Sequence, residues 1–269
     1  MTPVTVISGE GPVILGQPHS GVFVPDEIRA RLNERGRALA DTDWHVDRLY
    51  DGLLANATIV RANSHRYVID ANRDPSGASL YPGQNTTGLV PFTDFNGEAI
   101  WNTPPTVEEI ECRRMDYHAV YHLTLASEID RVRDAHGVAV LYDCHSIRSH
   151  IPYLFDGKLP DLNIGTNNSA TCAKAIEEAV ADVCAGSDFS YVVNGRFRGG
   201  WTTRHYGEPQ YGVHAIQMEI AQSAYLDTES APFSYSETKA EKLRAILKQI
   251  LERIEKLALF GELNGADDD

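Results

Sequence analysis

The chain has 269 residues, 42% of them hydrophobic, and carries a formal net charge of −14. That length can bury a sizeable core, and the acidity argues against general nucleic-acid binding, which needs clustered Lys and Arg to meet phosphates. An anionic ligand would need a local cationic pocket. The four cysteines, Cys112, Cys144, Cys172 and Cys184, are scattered and form no CxxC pair, so they read as reduced core thiols of a cytoplasmic protein. The first residues lack the basic and apolar regions of a signal peptide, and no apolar run reaches the ~18 residues of a membrane span. We read 1–269 as a single α/β domain without repeats or an internal linker and without an evident protein partner, ending in a flexible tail at 264–269.

In chain order, Val4–Ile7 and Val13–Leu15 read as strands joined by a Gly/Pro turn. A helix is predicted over 26–39. Another follows Asp43, a possible N-cap, with Val46, Leu49, Leu53 and Leu54 at helical spacing. Strands are predicted at 57–62 and 67–69. Residues 74–103 are rich in Gly, Pro, Asn and Thr without periodicity, and a loop that long is usually functional. Thr106 and Glu109 form a capping box opening a helix to about Ala135. The apolar run from Val138 to Tyr142 is a buried strand ending on Asp143-Cys144-His145-Ser146. A helix over 168–184, a strand at 191–193, a Gly- and Arg-rich loop over 195–211, a buried strand at 213–220 and an amphipathic helix over 236–259 complete the chain. Strands alternating with helices predict an α/β fold with a mixed or mostly parallel sheet.

Two of these strands deliver a histidine followed by serine at the carboxyl end, His19-Ser20 and His145-Ser146. In open α/β sheets that edge binds ligands, and neutral imidazoles with a carboxylate suggest a metal. Asp43 or Asp47 can supply the carboxylate, although the first could instead cap a helix and the second be solvated. Glu219 interrupts the apolar run 215–220, which is costly unless the group is paired or used. Beside a metal it could act as general base and then acid. Asn72-Arg73 and the cluster Arg196, Arg198 and Arg204 are candidates for gripping carboxylates, with Arg148 similar. Ser146 and Cys144 make poor nucleophile candidates: no nucleophile elbow frames them, and adjacent strand residues face opposite ways.

Taken in order, Pro18-His19-Ser20-Gly21, Val24-Pro25, Asp41-Thr42-Asp43, Val46-Asp47, Asn72-Arg73-Asp74-Pro75, Asp143-x-His145-Ser146 and Gln217-x-Glu219-Ile220 resemble the N-formylglutamate amidohydrolases, a family related to the zinc carboxypeptidases. The resemblance covers roughly residues 11–224. It implies a three-layer α/β/α sandwich around a mixed, mostly parallel sheet, of zinc-exopeptidase type. It implies one Zn²⁺ per chain and hydrolysis of the small dianion N-formyl-L-glutamate to formate and L-glutamate, a step of histidine degradation. By the same analogy His19 and His145 would bind zinc, Glu219 would be the base, and Asn72 and Arg73 would hold the α-carboxylate. One or more of Arg196, Arg198 and Arg204 would then bind the side-chain carboxylate. Carboxypeptidases take a Glu three residues after the first His, where this chain has Val22, so the carboxylate ligand must come from elsewhere and Asp43 is the choice. Two alternatives remain: a metal-dependent deacylase or peptidase for another N-acyl amino acid, and a non-catalytic metal or small-anion binder.

Overall fold

The computed structural model describes residues 2–79, 83, 85–261 and 263. The predicted tail at 264–269 lies outside them. Seven strands form one sheet: β1 (Val4–Ile7), β2 (Val13–Gln17), β3 (Thr58–Ala62), β4 (Ala139–Ile147), β5 (Leu162–Gly165), β6 (Tyr191–Val193) and β7 (Val213–Ala221), in the spatial order β1-β3-β2-β4-β7-β5-β6. β2 runs parallel to β3 and β4, β4 to β7, and β5 to β6. β1 and β5 lie antiparallel to β3 and β7. The sheet is therefore mixed and mostly parallel, as the resemblance implies.

The helices are α1 (Asp26–Arg29), α2 (Glu34–Arg37), α3 (Val46–Tyr50), α4 (Val107–Arg113), α5 (Ala119–His136), α6 (Lys174–Ala185), α7 (Trp201–Tyr206) and α8 (Glu237–Leu259). On one face of the sheet α3, α6 and α8 bury a core with Val140, Tyr142, Ile216 and Met218. The other face packs Leu141, Ala139 and Ala215 against Tyr121, Leu125 and Ile129 of α5. Successive strand residues alternate between these two cores, the period of two that makes a three-layer sandwich. β4 and β7 are buried along all nine residues each, which is why both read as near-continuous apolar runs.

Several predicted elements change. The helix over 26–39 is two single turns, the second restarted by Asn33, whose side chain accepts from the Gly36 N–H. Residues 67–69 form no strand; they turn, buried, beside the sheet. The helix after Thr106 keeps its capping box but passes through a π turn at Arg114–His118 between α4 and α5. The helix placed at 168–184 begins only at Lys174, and β5 was not anticipated. The loop over 195–211 contains α7. All four cysteines are free, but Cys112 is exposed rather than a core thiol. Among the described residues no helix is long and apolar enough to cross a membrane.

Candidate active site

β4 and β7 pair in register, Asp143 beside Gln217 and His145 beside Glu219. Residues two apart on a strand share a face, so these four side chains form one polar block in a buried sheet. β2 ends at Gln17 next to β4 and sends His19 over the same edge. Asp43 arrives from the segment before α3. Its carboxylate caps nothing: α3 starts from His45, held at φ 59°, and makes no side-chain cap. Asp47 is partly exposed and pairs with Arg61 at 3.0 Å, away from the site.

His19, Asp43 and His145 are all buried, and their ligand atoms converge. The two imidazole Nδ1 atoms stand 3.2 Å apart. Asp43 Oδ2 lies 3.2 Å from Nδ1 of His145 and 3.8 Å from Nδ1 of His19. Ligand bonds of about 2.0–2.1 Å in a tetrahedral zinc site put neighbouring donors about 3.3–3.4 Å apart. The triangle has roughly the dimensions of one face of such a tetrahedron, and two of its members, His19 and His145, line the cavity described below.

The outer nitrogens are backed by carboxylates. His19 Nε2 donates to Asp70 Oδ1 at 2.7 Å. His145 Nε2 lies 3.1 Å from Asp143 Oδ1, off the line of a straight hydrogen bond, so that contact is ionic more than directional. Carboxylates behind imidazoles turn the opposite lone pairs toward a metal. Asp43 Oδ1 accepts from Arg66 at 2.5 Å and Oδ2 from the Ser146 N–H at 3.0 Å, which leaves Oδ2 aimed at the imidazoles. Asp43, Asp70, Asp143 and Glu219 bring four carboxylates against the guanidiniums of Arg66 and Arg73. A divalent cation joining this group would favour the neutral His145 imidazole and the ionised Glu219 carboxylate.

Burial lowers the His19 pKa, and Arg66 adds to the fall against Asp70. Burial would lower His145 too, but Asp143 and its contact with Asp43 outweigh it and hold that imidazole well above the usual range. Burial pushes the Glu219 carboxyl up to about 8, with Asp43 and Asp143 adding to the rise and His145 and Arg66 opposing it. A dication beside it pulls the value down. Gln217 donates to Glu219 Oε2 at 3.1 Å and so fixes the carboxyl over the sheet edge.

The cavity above this group is lined by His19, His145, Glu219, Gln217, Asn72 and Gly200 at its base and by Arg66, Arg73 and Arg196 on its walls. Phe95, Ile147, Leu154 and Phe197 form an apolar side, and Asn85, Thr86 and Thr87 come from the long loop. The placement of that loop at a site agrees with the sequence reading. Of the three arginines proposed in the 196–204 segment, Arg196 is the one that lines the cavity. Arg204 donates from Nε to the Gly199 carbonyl at 2.9 Å, and Arg198 from Nε to that of Gly195 at 3.4 Å. Arg148 also stands outside the lining, beside Asn96 and Asp41. Asn72 lies at the base, its Oδ1 accepting from the Thr202 N–H at 2.8 Å and its Nδ2 3.0 Å from His145 Nε2. A Cβ at Gly200 would meet Asn72 Nδ2 at 2.3 Å, so glycine lets α7 approach this closely. Ser146 borders the cavity, but its Oγ accepts from the Tyr225 hydroxyl at 2.8 Å and, among the described residues, no imidazole is bonded to it as a base.

Sequence reasoning assigned no part to Arg66, Asp70 or Gln217. Asp70 had a legible signal: Val68-Ile69-Asp70 is an apolar run ending in Asp, the pattern noticed at Asp143.

The fold and this set of groups are those of an amidohydrolase. The structure superposes with a TM-score of 0.81 on N-formylglutamate amidohydrolase from Ralstonia eutropha JMP134, at 23% identity, covering 97% of this chain and 100% of that one. A gene product of Agrobacterium tumefaciens matches with a TM-score of 0.72 at 18% identity, over 96% of each chain. These two likenesses concern the fold. The sequence carries the rest: the profile of the N-formylglutamate amidohydrolase family matches residues 11–226, and the chain belongs to that family. It is 45% identical over 250 residues to the N-formylglutamate deformylase of Pseudomonas putida, covering 91% of this chain and 93% of that one. The deformylase of Pseudomonas aeruginosa is 44% identical over 254 residues with the same coverage.

Proposed function

We propose that the chain hydrolyses N-formyl-L-glutamate to formate and L-glutamate, with one divalent cation, zinc, held by His19, Asp43 and His145. The observation that carries this reading is the convergence of those three ligand atoms within 4.8 Å of one another, beside Glu219 and at the foot of a cavity walled by Arg73 and Arg196. The name of the two Pseudomonas relatives supplies the substrate.

A zinc ion bound there supplies Lewis acidity to a carbonyl oxygen and acidifies water. The rest falls to the protein. Glu219, ionised beside the cation, takes a proton from the attacking water. The water oxygen bonds to the formyl carbon, the C–N bond breaks, and Glu219 returns the proton to the departing nitrogen. Gln217 keeps the carboxyl pointed at that path. Arg73, with Asn72 at its side, grips the α-carboxylate, and Arg196 the side-chain carboxylate. Phe95, Ile147, Leu154 and Phe197 pack against the methylenes between. Two guanidinium clamps on one small dianion fix the formyl carbon over the base, the kind of orientation that lowers a barrier before any bond changes.

The test is formate release from N-formyl-L-glutamate by the zinc-loaded chain, before and after chelation, against a panel of N-formyl and N-acetyl amino acids. Chelator-sensitive release with preference for the formylglutamate supports the reading. Preference for another N-acyl amino acid moves it to a different deacylase, and zinc binding without any turnover makes it a binding protein.

A further inference from the structure

Residues 66–73 carry Arg66, Asp70, Asn72 and Arg73, yet they are neither helix nor sheet. Buried carbonyls in such a segment need partners from elsewhere. Three find them on one continuous helical rod, α4 through the π turn to α5. Arg113 donates to the Val68 carbonyl at 3.3 Å, His122 Nε2 to that of Ala71 at 2.7 Å, and His118 Nε2 to that of Arg73 at 2.9 Å.

The phase of the rod explains how three side chains reach one strip of backbone. His118 and His122 are one α turn apart and share a face. Arg113 is five residues before His118, and in an α-helix five residues leave two side chains about 140° out of line. The turn at Arg114–His118 closes its bonds over five residues instead, which brings Arg113 round to the side of His118. The rings are buttressed from α7: Trp201 lies with its ring centroid 4.7 Å from that of His122 and 5.7 Å from that of His118, and the Tyr206 hydroxyl is 3.0 Å from His122 Nδ1. The same helix sends the Thr202 N–H to Asn72 Oδ1. Asn72 is thus gripped on one flank by α5, on the other by the last residue of the π turn, and on its side chain by α7.

We propose that His118 and His122 are positioning residues that aim Asn72 and Arg73 into the cavity, with the π turn setting their phase. This inference rests on the function proposed above, in which Arg73 holds a substrate carboxylate. Carbonyl oxygens only accept, so both rings carry their hydrogen on Nε2. Burial keeps them neutral, and the bonds to Ala71 and Arg73 do not depend on a charged imidazole.

The test is the kinetics of formate release by the full zinc-loaded chain. His118→Phe keeps the ring volume and removes the donor. It should raise KM about tenfold, the weight of one lost hydrogen bond, and change kcat by less than about threefold. His118→Gln, whose amide reaches the position of Nε2, should restore most of the KM. In an Arg73→Ala background, His118→Phe should add less than about twofold, because the carbonyl it holds is that of Arg73 and the clamp it chiefly aims is already gone. If His118→Phe does not fold, His118→Asn, too short to reach the carbonyl, takes its place. An active wild type whose KM ignores these changes, or a double variant in which the two effects multiply, overturns the inference. A wild type that releases no formate overturns instead the functional reading beneath it.

Discussion

The Nδ1 atoms of His19 and His145 face each other at 3.2 Å in a buried site. Two lone pairs at that distance repel unless a proton or a cation sits between them. In the metal-free chain Asp143 and Asp43 favour the protonated His145 imidazole, whose Nδ1 has both His19 Nδ1 and Asp43 Oδ2 at 3.2 Å. A metal must displace that proton. Because the His145 pKa is raised, the competition is strongest at low pH and fades as pH rises through the raised value. Zinc titration should therefore release protons and tighten with pH, read by calorimetry in buffers of different ionisation heat. Affinity that stays flat between about pH 6 and 9 would contradict this.

Removing a ligand and removing its support should differ in degree. His19→Ala, Asp43→Ala or His145→Ala should abolish stoichiometric zinc by native mass spectrometry. Asp70→Asn leaves the three ligands but weakens the hold on His19, and should cost about 10–100-fold in zinc affinity against a competing chelator. Asp47→Ala, at the exposed pair with Arg61, should change neither.

Glu219→Gln preserves shape and removes the proton acceptor. It should cut kcat by about 10²–10⁴ while zinc content stays at one per chain. Near wild-type turnover with zinc bound would leave Glu219 a structural residue paired to Gln217.

Arg196 and Arg198 are two residues apart, but only the first lines the cavity. Arg196→Ala should raise KM for N-formyl-L-glutamate at least about tenfold, while an N-formyl amino acid with an apolar side chain loses far less. Arg198→Ala should leave both constants within about threefold. Equal effects of the two substitutions would move the second carboxylate clamp out of the cavity wall.

Acid stability offers a check away from the metal group. Burial, with His118 adding to it, lowers His122 to about 3 in the fold, whereas the unfolded chain titrates near the ordinary histidine value of 6.5. The unfolded state therefore binds the extra proton first. The stability tied to neutral His122 is whole above pH 6.5 and is lost as pH falls toward about 3. At 1.36 kcal/mol per unit the loss is on the order of 5 kcal/mol. Urea midpoints between about pH 7 and 4 should fall less steeply in His122→Gln than in the wild type. Parallel curves would show that this ring is not the titrating group.

Most of the architecture was legible because strongly buried elements advertise themselves. β2, β4 and β7 are apolar runs, and α8 carries an unbroken stripe from Leu243 to Leu257. The elements that were misread are those whose form depends on a neighbour. Val68 and Ile69 look like a strand, but their segment pairs with none among the described residues and is held by α4 and α5. The first single-turn helices end where Asn33 and Gly36 restart the chain against Ile100. No local pattern announces the π turn, since its advantage lies in where Arg113 and His118 must reach.

By itself the sequence determined which groups could do chemistry and, through ordered motifs, the family: His19, His145 and Glu219 stood out because polar residues in or ending apolar runs are costly without a use, and the resemblance pointed to Asp43. Spacing alone could not choose between Asp43 and Asp47, for which only the resemblance favoured Asp43, or among Arg196, Arg198 and Arg204, because residues so close in the chain differ only in the direction their side chains take. Tertiary structure decided both. Asp43 is turned inward by Arg66 and Ser146, and Arg196 is carried to the cavity wall. It also revealed Asp70 behind His19 and the helical rod behind Arg73, since a partner 45 or 51 residues away leaves no trace in spacing until the sheet brings the two together.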